Sequence, residues 1–451
     1  MTRSSNLILY LSATFLIVGA IALVPHGNFL NEQTAVPGFW RAMAIMNAGF
    51  ILSWCLPAQA VPAAWFWVVA VATRIAALGM YPGDDVWRYL WEGHIQLQGF
   101  SPYDVAPDAN LLEPLRTGWW SMINHKDVSA IYPPLTQLGF WAISLLSSSV
   151  YLFKLGFVAA DLGICTLLGR RFGYGATLLY AWNPLVIYCF AGGAHYDSWF
   201  LLPLVMAWLW WEQPDPPRSP LSQLNAAFWL GCSIAIKWMS LPILSFLVWQ
   251  CFWSTDRPRQ FSRHPFGARL KQAQWLGAAA LGLVALLPVV ITALPYCSLT
   301  SCPLIPTGSV FVSHGRSAEW IPHWVAQNWE PSLSTNAIYA IPLMMAIAWL
   351  LLRARSFGQF AEWYFISLLL ISPIVHAWYF TWLAPFAVAS RNWGTKFVSV
   401  SALAYFVLPH QVALGDSSWW MEQSDRLLLW IPFCLGLLLS AIQAQRLAQT
   451  R

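Results

Sequence analysis

From Leu7 to Val24 the chain passes without a charged side chain, and stretches of this kind recur almost to its end. An uncharged apolar run of roughly 20 residues is long enough to cross a bilayer as a helix. Only 10% of the 451 residues are Asp, Glu, Lys or Arg, while 58% fall in the hydrophobic set. Water-soluble domains carry about 25% charge. The expected fold class is therefore an all-α polytopic membrane protein.

Apolar runs lie near 7–24, 38–56, 61–80, 151–169, 174–191, 197–212, 223–237, 239–253, 274–295, 335–352, 359–373, 378–390, 397–414 and 426–443. Read as spans, they predict about fourteen transmembrane helices. The first run ends in PHGNFLNEQ rather than a small-residue cleavage pattern, so it reads as a retained helix. Residues 134–149 follow YPPL and end in SLLSSS, which predicts a re-entrant or partly buried helix.

Charge sets the expected orientation. The connection 254–273 holds Arg257, Arg259, Arg263, Arg269 and Lys271 against Asp256; Arg170-Arg171, Arg353-Arg355 and Arg391-Lys396 mark other basic turns. Fourteen spans with a cytoplasmic N-terminus put all four on the cytoplasmic side, with the C-terminus. A multi-pass plasma membrane protein follows, with two large non-cytoplasmic loops, 81–132 and 296–334. The division expected is 1–60 as accessory helices, 61–253 as a transmembrane core, 254–273 as a basic cytoplasmic loop and 274–451 as a C-terminal region. The net charge of +5 speaks to topology rather than nucleic acid, and no GxxxxGK[ST] phosphate loop appears. Most of the eight cysteines are isolated in apolar runs, whereas the spacing of Cys297 and Cys302 permits a disulfide.

The polar groups that break this pattern are few. YPGDDVWRYLWEG puts Asp84 and Asp85 just beyond the third run. They could be a solvated acidic turn fixed by Gly83. Alternatively, a carboxylate beside apolar surface has a raised pKa and can act as a general base, or it can hold an acceptor or a metal. Arg88, Tyr89 and Glu92 follow on the same helix face. WNPLVIYCFAGGAHYD carries His195 and Asp197, either a hydrogen-bonded helix cap or a contact to substrate hydroxyl or phosphate. Lys237 in SIAIKWMSLP either snorkels or meets a lipid phosphate. SPIVHAWYFTWLAP places His376 in an aromatic belt or at the same site, and HGRSAEW offers His314 and Arg316 as weaker phosphate candidates. No metal-ligand spacing appears, so no cofactor is predicted, although carboxylates permit a divalent cation.

These pieces, with QGFSPYDVAP and IYPPLTQL, occur in an order that resembles the GT-C superfamily of multi-pass glycosyltransferases, over roughly residues 80–390. The resemblance is to bacterial mannosyltransferases related to the first GPI mannosyltransferase. It implies a GT-C-like architecture with a large first catalytic loop. It also implies a polyprenyl-phosphate sugar donor and transfer on the extracytoplasmic side to a lipid-linked or glycan hydroxyl acceptor. Asp84 and Asp85 fall on the family's acidic motif, His195 and Asp197 on its histidine-acid segment, and His376, Trp378 and Tyr379 on its late histidine-aromatic segment. Tyr103 and Tyr132 lie in the remaining motifs as substrate contacts.

The reaction so implied is inverting transfer of a hexose, with mannose first among the sugars. Asp84 would be the base, Asp85 its alternate or the positioning acid, and Lys237, Arg88 or His376 would meet the leaving phosphate. A transporter or flippase, a lipid-linked glycan ligase or polymerase, and a structural scaffold remain the alternatives.

Overall fold

The computed structural model describes residues 3–27, 35–213, 219–253, 266–298, 301–304, 310–416 and 418–449. Helices supply the regular structure. Among the described residues there is no strand, and one isolated parallel bridge joins Ser317 to Ile374.

The expectation of about fourteen transmembrane helices is overturned. Among the described residues, six helices are long and apolar enough to cross a membrane: Arg3–His26, Ala35–Ser53, Val150–Phe172, Gln274–Ala293, Asn336–Arg353 and Gln423–Arg446. Three further apolar helices, Ala63–Leu78, Trp238–Phe252 and Phe357–Ile371, are shorter. The chain is a multi-spanning, all-α membrane protein with fewer long helices than apolar runs.

The cause is visible in the runs that failed. The stretch 174–191 breaks into Tyr174–Ala181, Pro184–Ile187 and one π-helical turn at Tyr188–Gly192. Pro184 starts the second piece, where its missing N–H costs nothing, and the Asn183 side chain caps it by accepting from Leu185 N at 3.0 Å. The run 378–390 divides into a 3-10 segment, Ala377–Leu383, and the short helix Ala384–Ser390. Their residues are apolar because they are protein interior. Trp182, Ile187, Phe190, Leu383 and Ala384 are fully buried in one large hydrophobic cluster. Apolar composition has the same cause in a core as in a bilayer, the exclusion of water.

Residues 134–149 give the 11-residue helix Pro134–Ser144, too short to cross a bilayer. It lies against the helix Asp85–Leu97. Gly93 permits that approach: a Cβ there would sit 2.2 Å from Ser144 Oγ and 2.6 Å from the Phe140 carbonyl oxygen.

Two buried basic side chains brace the approach to this region. Arg74 Nε meets Asp161 Oδ2 at 2.8 Å with both side chains wholly buried, and Arg74 also donates to the Ala181 carbonyl. Lys154 Nζ donates to the carbonyls of Leu78 at 3.1 Å and Met80 at 2.5 Å, closing the C-terminal end of Ala63–Leu78. The polypeptide then turns directly into Asp84 and Asp85.

Of the long connections, 254–265 lies outside the described residues, and with it Asp256, Arg257, Arg259 and Arg263. The second loop is tied down by a disulfide between Cys297 and Cys302. Further along it, Ser317 N donates to Pro373 O and Val375 N to Ser317 O, each at 3.1 Å. That pairing holds the chain immediately before His376.

Candidate functional site

Asp84 is the N-cap of the helix Asp85–Leu97 and Asp85 lies in its first turn, where the helix dipole favours negative charge. Gly83 N donates to Gly193 O at 2.9 Å, locking the acidic turn to the segment that carries His195. A Cβ at Gly83 would stand 3.0 Å from that carbonyl, so the two backbones meet because glycine is there.

The segment reaches this position through an irregular path. After the π-helical turn, Ala194 adopts left-handed backbone, φ 62°, an uncommon state for a residue with a side chain. His195 N donates to Cys189 O at 2.9 Å. The imidazole Nδ1 then lies 3.4 Å from Asp85 Oδ2. From the first loop, Asn124 Nδ2 donates to Asp84 Oδ2 at 3.2 Å and to Asp85 Oδ1 at 2.9 Å.

The two acids are held differently. Burial alone would raise the Asp85 pKa, but His195, Asn124 and His376 outweigh it and bring it down to about 2. Asp84 moves up, through burial and the charge of Asp85, with Asn124 offsetting only part. Its side chain is nonetheless exposed.

Trp378 joins two imidazoles to the acids. Its indole stacks with His195 at 3.7 Å between ring centres and with His376 at 4.5 Å, the latter pair within 5° of parallel. His376 Nδ1 lies 2.6 Å from the Tyr405 hydroxyl. Burial lowers the His376 pKa to about 3, despite the opposing charge of Asp85, so it is a neutral hydrogen-bonding ring.

A second group of candidates forms the adjoining knot. Lys237 Nζ meets Asp197 Oδ1 at 2.5 Å, and Trp382 Nε1 donates to the same oxygen at 2.7 Å. The ammonium lies 4.8 to 5.5 Å from the ring centres of Tyr196, Phe200, Tyr379 and Trp382, within cation–π range. Lys237 already has its counter-ion. Tyr379 bridges the groups, its ring 5.2 Å from His376 and 4.3 Å from Trp382.

Tyr89 and Tyr132 form an aromatic wall beside the acids, each with its ring edge-on to Tyr196. Tyr103 supports that wall, donating its hydroxyl to Tyr132 O at 2.6 Å. Arg88 and Glu92 pair at 2.6 Å, and the guanidinium also donates to the carbonyls of His125 and Val128 at 2.8 and 2.5 Å. That arginine anchors a loop. Arg316 donates to Ser332 O at 3.0 Å and Pro322 O at 3.4 Å, holding its own loop together, and His314 lies 2.8 Å from Ser313 Oγ.

Sequence reasoning missed Asn124, Tyr405 and Trp382. Asn124 is one polar residue among many in a loop, with no periodicity to mark it. An apolar cleft of about 640 Å³, lined by Trp40, Trp54, Phe397 and Leu428 among others, includes none of the candidates. Among the described residues, no three His, Cys, Asp or Glu side chains gather as a metal site. No family model, no curated protein and no solved structure matches the chain.

Proposed function

We propose that the chain is a glycosyltransferase that moves a hexose, mannose first, from a polyprenyl-phosphate donor to a hydroxyl of a lipid-linked or glycan acceptor. The observation that carries this reading is the unequal carboxylate pair: an accessible Asp84 of raised pKa beside an Asp85 kept ionised by His195 and Asn124. Such a pair separates the base from the positioning acid. Aromatic side chains around it suit sugar faces, and the ordered motifs that resemble polyprenyl-phosphate sugar transferases support the same chemistry. On that resemblance, the acids lie on the extracytoplasmic side of the plasma membrane.

In this reaction the acceptor oxygen attacks the anomeric carbon while the bond from that carbon to the phosphate oxygen breaks. Asp84 takes the hydroxyl proton, and polyprenyl phosphate leaves with the bonding electrons. Direct displacement inverts the anomeric centre, so a β-linked donor yields an α-linked product. His376, neutral at ordinary pH, serves as a hydrogen-bond partner rather than a cation for the leaving phosphate.

The test is transfer from a panel of polyprenyl-phosphate sugars into membrane acceptors by the purified protein, beside Asp84→Asn and Asp85→Asn. Sugar transfer that Asp84→Asn abolishes supports the reading; near-normal turnover by folded Asp84→Asn removes Asp84 as base. A transporter is the second reading, favoured by interrupted helices at 184–193 and 377–390 that adjoin Asp85 and Asp197. It predicts solute flux without release of polyprenyl phosphate.

A further inference from the structure

Asn124 stands 40 residues from Asp84 in sequence, yet its one amide nitrogen reaches both carboxylates, at 3.2 and 2.9 Å. The loop around it is held partly by its own hydrogen bonds, Val128 N to His125 O at 3.2 Å and Lys126 Nζ to Ser121 O at 2.9 Å, and partly from outside. His125 adopts a left-handed backbone with φ 44°, unfavourable for a residue with a Cβ. On one side Ile123 is buried against Trp91, Ile95 and Leu112. Beyond Asn124 the side chain that reaches in from the acid-bearing helix is Arg88, whose two terminal nitrogens hold the His125 and Val128 carbonyls. Arg88 is fixed in turn through Nε to Glu92 Oε1 at 2.6 Å, and Gln137 Nε2 holds Glu92 Oε2 at 2.6 Å.

We propose that Asn124 and Arg88 are positioning residues for the carboxylate pair: Arg88 fixes the loop carbonyls so that the Asn124 amide bridges Asp84 and Asp85. The role of Asp84 as base rests on the transfer chemistry proposed above, whereas the bridge does not. Two adjacent carboxylates repel, and a shared N–H donor offsets part of that repulsion. Without the donor the pair binds its proton more tightly.

Other groups face the pair and are unchanged in the variants below. His195, Tyr188 and Tyr196 come from the 188–197 segment, His376 and Tyr379 from the chain on either side of Trp378, and Tyr405 from the 402–406 turn. Tyr132 precedes the helix Pro134–Ser144, and Tyr89 and Glu92 share the helix of Asp85.

The test is an infrared titration of the protonated-carboxyl band in the purified full chain, with the Asp84 contribution assigned by its loss in Asp84→Asn. Asn124→Ala should raise the midpoint by about one pH unit, the size expected for losing one hydrogen bond to a charged group. Arg88→Lys keeps a positive charge beside Glu92 but loses the two-carbonyl grip, and should raise the midpoint in the same direction. Combining the two should add nothing beyond Asn124→Ala. An unmoved midpoint in Asn124→Ala overturns the bridge, and an additive shift in the double variant overturns the action of Arg88 through Asn124. Absence of sugar transfer by the wild-type chain would count against the transfer chemistry alone, since the midpoint is read without turnover.

Discussion

The indole of Trp378 lies against the imidazole of His195, ring centres 3.7 Å apart and planes 19° from parallel. This contact ties the 3-10 segment Ala377–Leu383 to the loop that presents His195 to Asp85. His376 stacks on the same indole, so one side chain orders two histidines. Aromatic pairs contribute about 0.5–1.5 kcal/mol each beyond area burial. Trp378→Leu should lower thermal stability modestly and turnover severely, because His195 loses its orientation. Trp378→Phe should retain more of both. Equal, full turnover in the two variants would remove Trp378 from the site.

The unequal acids give a pH dependence with a definite sign. A base works deprotonated, so kcat/KM should fall as pH drops through the Asp84 pKa, which burial and the charge of Asp85 raise. Asp85, ionised down to about pH 2, should add no second limb in the working range. The profile of kcat/KM against pH checks this. An acid limb at the ordinary carboxylate value would assign proton transfer elsewhere.

Membrane character and helical class were legible in the uncharged runs, because few chains this long avoid charge without a bilayer to face. The number of long helices was not legible. Phe190 and Leu383 are as apolar as any lipid-facing leucine, but both are buried within the protein. Hydropathy does not say which apolar solvent a side chain meets. In the site, Asp84, Asp85, His195 and His376 stood out because polar groups are rare in such runs. Arg88 read as a contact to the leaving phosphate because the sequence shows its charge and hides both Glu92 as its ion-pair partner and the loop carbonyls. Arg74 and Asp161 pair across 87 positions and so left no local signal.

Lys237 and Asp197 make a sharp stability prediction. Asp197 is 1% exposed, and its Oδ2 has no hydrogen-bond partner. Breaking a buried pair by removing one partner costs about 3–5 kcal/mol, mostly the stranded charge. Lys237→Ala should therefore show a large loss of thermal stability in detergent. Adding Asp197→Leu to Lys237→Met should recover part of the loss, because no charge is then stranded. If Lys237→Ala melts with the wild type, the ammonium does not neutralise Asp197, and its effect on donor affinity becomes the test of a phosphate contact.

Gly93 tests whether the acid-bearing helix depends on close packing for its position. A Cβ there would lie 2.2 Å from Ser144 Oγ and 2.6 Å from Phe140 O. The hydroxyl can rotate away, but the carbonyl belongs to the backbone of Pro134–Ser144 and cannot yield without moving that helix. Overpacking of this kind costs about 1–3 kcal/mol. Gly93→Ala should destabilise the protein by that order and reduce turnover by shifting Asp84 and Asp85 together. Ser144→Ala introduced alongside should restore little, since it removes the hydroxyl and leaves the carbonyl. Full rescue by Ser144→Ala, read from melting temperature and turnover, would show that the backbone contact does not set the helix separation.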